Sequence, residues 1–204
     1  MPVIQRGLQF WKCAEELFLD YLNERCGSRA NLTYIPSGDE APVLVASYLE
    51  YPAADHLTAF TVGMSSVAPA TGDEKADRPE LMISVKSPNT AWARAIGVIA
   101  EKYRGRNVFD VGDTVSVSDE ISRSSPMRAF LVHNPSLFGL AGERLQVEER
   151  SIRVLQLYPV HDSEVELIRK HGYQAFIDSR PDLADVRRPP QSAASVEAHA
   201  LKAG

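Results

Sequence analysis

IRVLQLYPV, residues 152–160, decides the fold together with the residues that follow it. The segment is rich in Val, Leu, Ile and Tyr, which is typical of a buried strand, and Pro159 is expected to end that strand. Ser163 is followed three residues later by Glu166. This capping-box pattern predicts a helix that begins there and ends at Gly172. A strand that passes directly into a helix indicates a mixed α and β architecture.

Strands and helices are also predicted in the rest of the chain. Apolar residues recur at helical spacing over residues 7–26, and a second apolar stripe that includes Trp92 and Ile96 follows Ser87 and Pro88, which are predicted as N-cap and first helical residue. Further strands are predicted at 41–51, 57–63, 80–86, 114–117 and 128–133, where β-branched and aromatic residues concentrate.

The chain is predicted to hold one domain followed by a tail. Its 204 residues, 44% of them hydrophobic, are sufficient for one sizeable core. From residue 181 onward Pro, Ala, Ser and charged residues replace the periodic pattern. We therefore expect an α+β domain over residues 1–180 and a flexible C-terminal tail over residues 181–204.

Charge and hydropathy exclude several classes of partner. The net charge is −5, and the Lys and Arg residues are scattered, which argues against nucleic acid as the ligand. No segment approaches the roughly 18 apolar residues of a membrane span, and the first residues lack the pattern of a signal peptide. The sequence predicts a cytoplasmic protein with no nucleic-acid or membrane partner.

A search for catalytic chemistry finds fragments only. Gly63-Met64-Ser65 resembles half of a nucleophile elbow, but the second glycine is missing because position 67 is Val. The histidines have no metal-ligand spacing, and no phosphate-binding glycine pattern occurs. We predict no catalytic residue, cofactor or metal. A hydrolase built on Ser65 and His133 stays open as a minor hypothesis, and it requires hydrogen-bond contact between the two.

Polar residues in predicted loops are the candidates for contact with a protein partner, because binding residues concentrate in loops. His133 ends a predicted strand, and the acidic candidates follow or precede strands. The set comprises Asp110, Asp113, Asp119, Glu120, His133, Glu148 and Glu149, with the loop 73–78 as a further candidate.

The strand and helix after residue 152 resemble the signature of the suppressor of fused family, in which an apolar strand carrying Leu-Gln runs to a proline and a helix with acidic first residues follows. Residues 61–65 (TVGMS), 80–83 (ELMI), 112–116 (GDTVS) and 127–132 resemble further family motifs in the same order. The motif residues are predicted to be structural, as backbone bends, strand ends or core. They are Gly63, Met64, Ser65, Glu80, Trp92, Gly112, Leu155, Gln156 and Pro159.

The resemblance implies a fold and a kind of function. It implies an α+β domain with a mostly antiparallel central sheet of about six strands flanked by helices, like the N-terminal domain of the family. Animal members restrain transcription factors by gripping a short peptide between two domains, and this chain has no room for the second domain. Single-domain bacterial relatives look like immunity proteins that neutralise toxins. A non-enzymatic toxin inhibitor is therefore expected, and an intracellular adaptor or regulator is the alternative.

Overall fold

The computed structural model describes residues 13–38, 40–68, 78–106, 109–118, 120–137, 139, 144–147 and 150–203. The helices of these ranges are α1 (Cys13–Cys26), α2 (Ala91–Tyr103), α3 (Asp162–His171), α4 (Tyr173–Asp178) and α5 (Ala193–Ala203), with a 3₁₀ turn at Met64–Ser66. The strands are β1 (Asn31–Ser37), β2 (Glu40–Leu49), β3 (Leu57–Val62), β4 (Arg78–Val85), β5 (Thr114–Ser116), β6 (Ala129–His133), β7 (Arg144–Val147) and β8 (Arg150–Val160). Within these ranges, no helix combines the length and apolarity that crossing a membrane requires.

The strands form one sheet in the order β1-β2-β3-β4-β8-β6-β5, and β7 pairs with the beginning of β8. Among the strand pairs of the described ranges, only β4–β8 is parallel, which confirms the prediction of a mostly antiparallel sheet. The predicted number of about six strands is too low, because eight strands are present in the described ranges. The missed strands are β1, which contains Pro36, and the four-residue β7.

Helices cover both faces of the sheet. Because side chains alternate along a strand, Leu155 and Leu157 of β8 point to one face, where they join the core beneath α2 around Trp92. Val154 points to the other face, beneath α1. Val160 also points to that face, in the cluster formed by α3, α4 and α5. β8 therefore contributes to every part of the core.

The sequence predicted that Pro159 ends the last strand. This is wrong, since β8 continues to Val160. Pro159 lies opposite Phe130 of β6. The N–H of Val132 bonds toward β5. Since backbone directions alternate along β6, the N–H and C=O groups of Phe130 also point toward β5. Pro159, opposite Phe130, therefore occupies a non-hydrogen-bonded position of the β6–β8 pair. The missing N–H of this proline therefore costs the pairing nothing.

Two helices begin at other residues than their predicted capping patterns indicated. Helix α2 begins at Ala91, with Thr90 as its N-cap, instead of at Ser87 and Pro88. Helix α3 begins at Asp162 with His161 as its N-cap, and the Glu164 side chain accepts the His161 N–H at 2.9 Å. The capping residues are therefore two positions earlier than the predicted Ser163–Glu166 pair.

Residues 181–203, predicted as a flexible tail, lie on the domain. The carbonyl of Ala184 accepts the N–H of Lys86 at 2.8 Å, just beyond the end of β4. Val186 is buried in the core beneath α2, and Val196 of α5 is buried on the opposite face. The segment therefore passes around the sheet, with Val186 buried on one face and Val196 on the other.

A buried ion pair fixes the middle of this segment. The guanidinium of Arg188 donates both Nη groups to the carboxylate of Glu164, which also accepts the Gln191 N–H at 2.8 Å. Glu164 is fully buried and Arg188 is 7% exposed. Burial opposes the charge on Glu164, but the hydrogen bonds from Arg188 and from the backbone outweigh it and lower the pKa of this carboxyl. We call the Glu164–Arg188 pair the buried lock.

Candidate functional site: an open strand edge beside a groove

Strand β5 forms one edge of the described sheet, because it pairs only with β6. The carbonyl of Asp113 and the N–H of Val117 both form hydrogen bonds toward the β6 side. Since backbone directions alternate in an antiparallel pair, the N–H and C=O groups of Thr114 and Ser116 point away from the sheet. The edge therefore presents main-chain donors and acceptors to an incoming strand.

A groove of about 340 Å³ lies between β5 and α2. Val115 and Val117 line it from the strand side, and Val98 is 47% exposed on the helix side. Arg94 and Lys102 of α2 add positive charge. The remaining lining residues are Ala91, Ala95, Ile99, Tyr103, Ser116, Ser118, Glu120 and Ile121. The groove is thus largely apolar with a charged rim, and it runs beside the open backbone edge.

Three of the predicted partner contacts lie at the two ends of β5. Asp110 and Asp113 share the turn before the strand, where Asp113 Oδ2 accepts the Asp110 N–H at 2.8 Å. Glu120 follows the strand and reaches the groove. All three are exposed. Asp119, Glu148, Glu149 and residues 73–77 of the candidate loop lie outside the described residues, and contact of this whole set with a partner stays a prediction.

His133 lies at the end of β6 inside an aromatic cluster, not in an open cleft. Its ring makes edge contacts with Tyr158 and Tyr173, with centroid distances of 5.7 and 5.5 Å. Its Nδ1 lies 3.1 Å from the Asn134 carbonyl oxygen. Burial lowers the pKa of His133, which favours the neutral ring. Tyr173 also packs on Gly112, where a Cβ would meet the Tyr173 Cβ at 3.2 Å.

The buried carboxylate of Glu80 organises the turn after β3. Its Oε1 accepts the Gly63 N–H at 2.8 Å, the Ser65 N–H at 3.0 Å and the Ser65 hydroxyl at 2.6 Å. Its Oε2 accepts the Thr61 hydroxyl at 2.6 Å. Gly63 has a φ of 102°, a conformation that favours glycine. Burial raises the pKa of Glu80, although these four hydrogen bonds oppose the shift.

The contact that a Ser65–His133 hydrolase requires is not present. The Ser65 hydroxyl donates to Glu80, and Nδ1 of His133 lies against Asn134. β3 and β6 are three strand spacings apart in the sheet, which is about 14 Å. The described part of the chain also brings together no group of three His, Cys, Asp or Glu side chains suited to a metal ion.

The other motif residues lie in the interior. Trp92, Met64 and Leu155 are at most 2% exposed. Gln156 is 1% exposed, and its Oε1 accepts the backbone N–H of Ser136 at 2.8 Å and the Ser136 hydroxyl at 3.1 Å. Gln156 therefore holds the chain that leaves β6, a contact across the sheet that a sequence motif does not reveal.

Sequence reasoning missed the helix side of the groove. Arg94, Val98 and Lys102 lie on one side of α2, whereas the prediction considered only the buried stripe that includes Trp92 and Ile96. One signal was available, because Val98 is a large apolar residue outside that stripe. Its exposure marks a second apolar surface on the same helix.

The sheet, its open edge and the adjoining groove define the class of protein. It is an α+β domain in which an open strand edge lies beside an apolar groove. The family model described as Suppressor of fused protein (SUFU) matches residues 39–189, which is most of the chain. The chain belongs to the SUFU family.

Solved structures share this fold. The chain is similar to a SUFU homolog from Neisseria gonorrhoeae FA 1090, with a TM-score of 0.67 and 14% identity over 88% of this chain and 98% of that one. A chain of the Sufu–Fu complex gives a TM-score of 0.66 and 16% identity, over 93% of this chain and 96% of that one.

Drosophila Suppressor of Fused gives a TM-score of 0.60 and 15% identity. The match covers 91% of this chain and 52% of the Drosophila chain, so this chain spans about half of that protein. No curated protein matches the sequence.

Proposed function

We propose that this chain is a non-enzymatic protein-binding domain that holds an extended segment of its partner against β5 and in the groove beside α2. The observation that carries the proposal is the open backbone edge of Thr114 and Ser116 next to an apolar groove. An added strand would bond to these main-chain groups, and every second side chain of that strand would point into the groove.

The lining of the groove indicates what such a segment contains. Val98, Val115 and Val117 favour apolar side chains at alternate positions of the segment. Arg94 and Lys102 favour a carboxylate on the side nearer the helix. A partner segment that alternates apolar residues and carries an acidic residue fits these features.

We propose further that the partner is a bacterial toxin and that the chain acts as its immunity protein in the cytoplasm. The similarity to a Neisseria homolog that this chain covers almost completely supports a single-domain bacterial type. Strand addition relies on backbone groups, which suits an inhibitor that needs few particular side chains. The alternative, an adaptor or regulator with another partner, is supported by the occurrence of this fold in the Sufu–Fu complex.

Replacing Ser116 with proline is expected to reduce partner binding about ten-fold or more, because it removes an outward N–H from the edge. Proline is tolerated on an edge strand where the N–H faces outward, so the fold should persist. Ser116→Ala keeps the N–H and serves as the matched control. The measurement is quantitative affinity capture from the native cell with the wild-type chain, Ser116→Pro and Ser116→Ala as baits.

The identity of the captured protein separates the two candidate partners. Capture of one stoichiometric toxin, reduced by Ser116→Pro but not by Ser116→Ala, supports the immunity role. A regulator with the same dependence contradicts the immunity role and supports the adaptor. Equal capture by Ser116→Pro and wild type would contradict binding through β5.

A further inference from the structure

Helix α2 lies alongside β5 and runs in the opposite direction. At one end of the helix, the Tyr103 ring packs against Phe109, which precedes the strand, with a centroid distance of 5.3 Å. At the other end, Asn89 Nδ2 donates to the hydroxyl of Ser122, which follows the strand, at 3.0 Å. Groove-lining residues extend from Ala91 to Tyr103, the first and last residues of α2. A segment that fills the groove therefore contacts the whole length of this helix.

Three exposed residues of α2 line the groove at regular spacing. Arg94, Val98 and Lys102 follow one another at intervals of four residues, so they lie on successive turns of one side of the helix. Because a helix rises about 1.5 Å per residue, Arg94 and Lys102 are roughly 12 Å apart along its axis, and Val98 lies midway between them. We call these three residues the α2 row.

Both cations of the α2 row are open to a partner. In the part of the chain that the structure describes, neither Arg94 nor Lys102 forms a salt bridge. Lys102 Nζ lies 5.3 Å from the centroid of the Tyr103 ring, which also lines the groove. Two cations on either side of an exposed valine favour two carboxylates on either side of an apolar side chain.

The spacing of the α2 row matches that of alternate residues in a strand. Because a strand rises about 3.3 Å per residue, its residues i and i+4 lie on one face roughly 13 Å apart, with residue i+2 between them. We propose that the partner segment carries acidic residues at i and i+4, bound by Arg94 and Lys102, and an apolar residue at i+2 that packs on Val98. This inference rests on the proposed strand addition to β5 and gives the added strand its sequence pattern.

One acidic residue of the groove opposes this pattern. Glu120 lines the groove and follows β5, at the end of the strand near the beginning of α2. It weakens the attraction of Arg94 for a partner carboxylate, because like charges repel. Glu120→Gln should therefore tighten the binding of an acidic segment about two-fold.

Two synthetic peptides of the same composition test the spacing. The probe, Thr-Glu-Thr-Val-Thr-Glu-Thr, places both carboxylates on the face of its valine when it is extended, whereas the control, Thr-Thr-Glu-Val-Glu-Thr-Thr, places them on the opposite face. Amide chemical shifts of the isotope-labelled full chain give both affinity and site at millimolar peptide. We expect the probe to bind about five-fold or more tightly than the control, because it gains two exposed ion pairs.

Charge reversal on the helix provides the matched variant. Arg94→Glu combined with Lys102→Glu should make the chain prefer Thr-Lys-Thr-Val-Thr-Lys-Thr to the acidic probe, while the wild type prefers the acidic probe. Both positions are exposed, so the variant should fold. Equal affinity of the wild type for probe and control, or a preference that charge reversal leaves unchanged, would overturn the inference. Absence of binding by either peptide would overturn it as well.

The amides of Thr114 and Ser116 separate this inference from the proposed strand addition. Equal shifts of these amides with probe and control would overturn the sequence pattern and leave the strand addition in place. A preference for the probe without any shift of these amides would contradict the strand addition and support the charge pattern alone.

Discussion

Replacing Arg188 with alanine is expected to lower the free energy of unfolding by about 3–5 kcal/mol, because it leaves the buried Glu164 carboxylate without its cation. Glu164 keeps the N–H groups of His161 and Gln191 as donors, but both Nη contacts of Arg188 are lost. The measurement is urea denaturation at neutral pH. This loss is a large part of the typical stability of a domain.

Arg187→Ala is the matched control, because Arg187 is 67% exposed and lies 3.7 Å from Asp185. Its removal should change stability by less than about 0.5 kcal/mol. The double variant Arg188→Ala with Glu164→Gln should recover part of the loss, since no uncompensated charge then remains buried. Equal stability of Arg188→Ala and Arg187→Ala would show that residues 181–191 do not lie on the domain as described.

The lock also sets a pH dependence. The pKa of Glu164 is lower in the folded chain than in the unfolded one, so the folded state holds its proton less readily. The stability that the lock contributes is therefore complete above the unfolded pKa and is lost as pH falls through the folded pKa. The difference in stability between wild type and Arg188→Ala should shrink toward acid pH.

Replacing Glu80 with alanine is the second change with a large expected effect. It orphans the backbone N–H groups of Gly63 and Ser65, which costs roughly 1–3 kcal/mol for each group. The cavity left in the core adds to this cost. Thermal and urea denaturation should therefore show a loss of roughly 2–6 kcal/mol from the two unpaired N–H groups alone.

Glu80→Gln is the control, because it keeps the volume and an acceptor oxygen for the turn while removing a buried charge. It should lose less than half as much stability as the alanine variant. Burial raises the pKa of Glu80, so the contribution of its titration is complete below the unfolded pKa and is lost as pH rises through the folded pKa. An alanine variant as stable as Glu80→Gln would contradict the assigned role of this carboxylate.

The sequence predicts the buried part of the fold well. β2, β3, β4, β6 and β8 are rich in apolar residues, and each was predicted to within a few residues. β1 was not predicted because its first four residues are exposed and it contains Pro36. β7 was not predicted because it is short and its residues alternate between exposed and half-buried positions. Local composition therefore identifies the buried strands and the β-branched pair Thr114-Val115 of β5, and it misses strands whose residues are mostly exposed or half-buried.

Long-range partners explain the remaining differences between the predictions and the structure. Pro159 is harmless in β8 because its neighbour on β6 bonds in the other direction, and this depends on the register of three strands. Arg188 and Gln191 both bind Glu164, which precedes Arg188 by 24 residues in the chain. The groove arises where α2 and β5 meet. Its strand was predicted at 114–117, and Asp110, Asp113 and Glu120 on either side of that strand were predicted as partner contacts, but its helix side was not predicted.

The most direct test of partner binding through β5 is hydrogen exchange of the chain alone and in complex with the protein that it captures. The outward amides of Thr114 and Ser116 should become strongly protected in the complex, because they would form the new inter-strand hydrogen bonds. The amide of Val117, which already bonds toward β6, should change much less. A complex in which Thr114 and Ser116 exchange as fast as in the free chain, with protection elsewhere, would contradict the account.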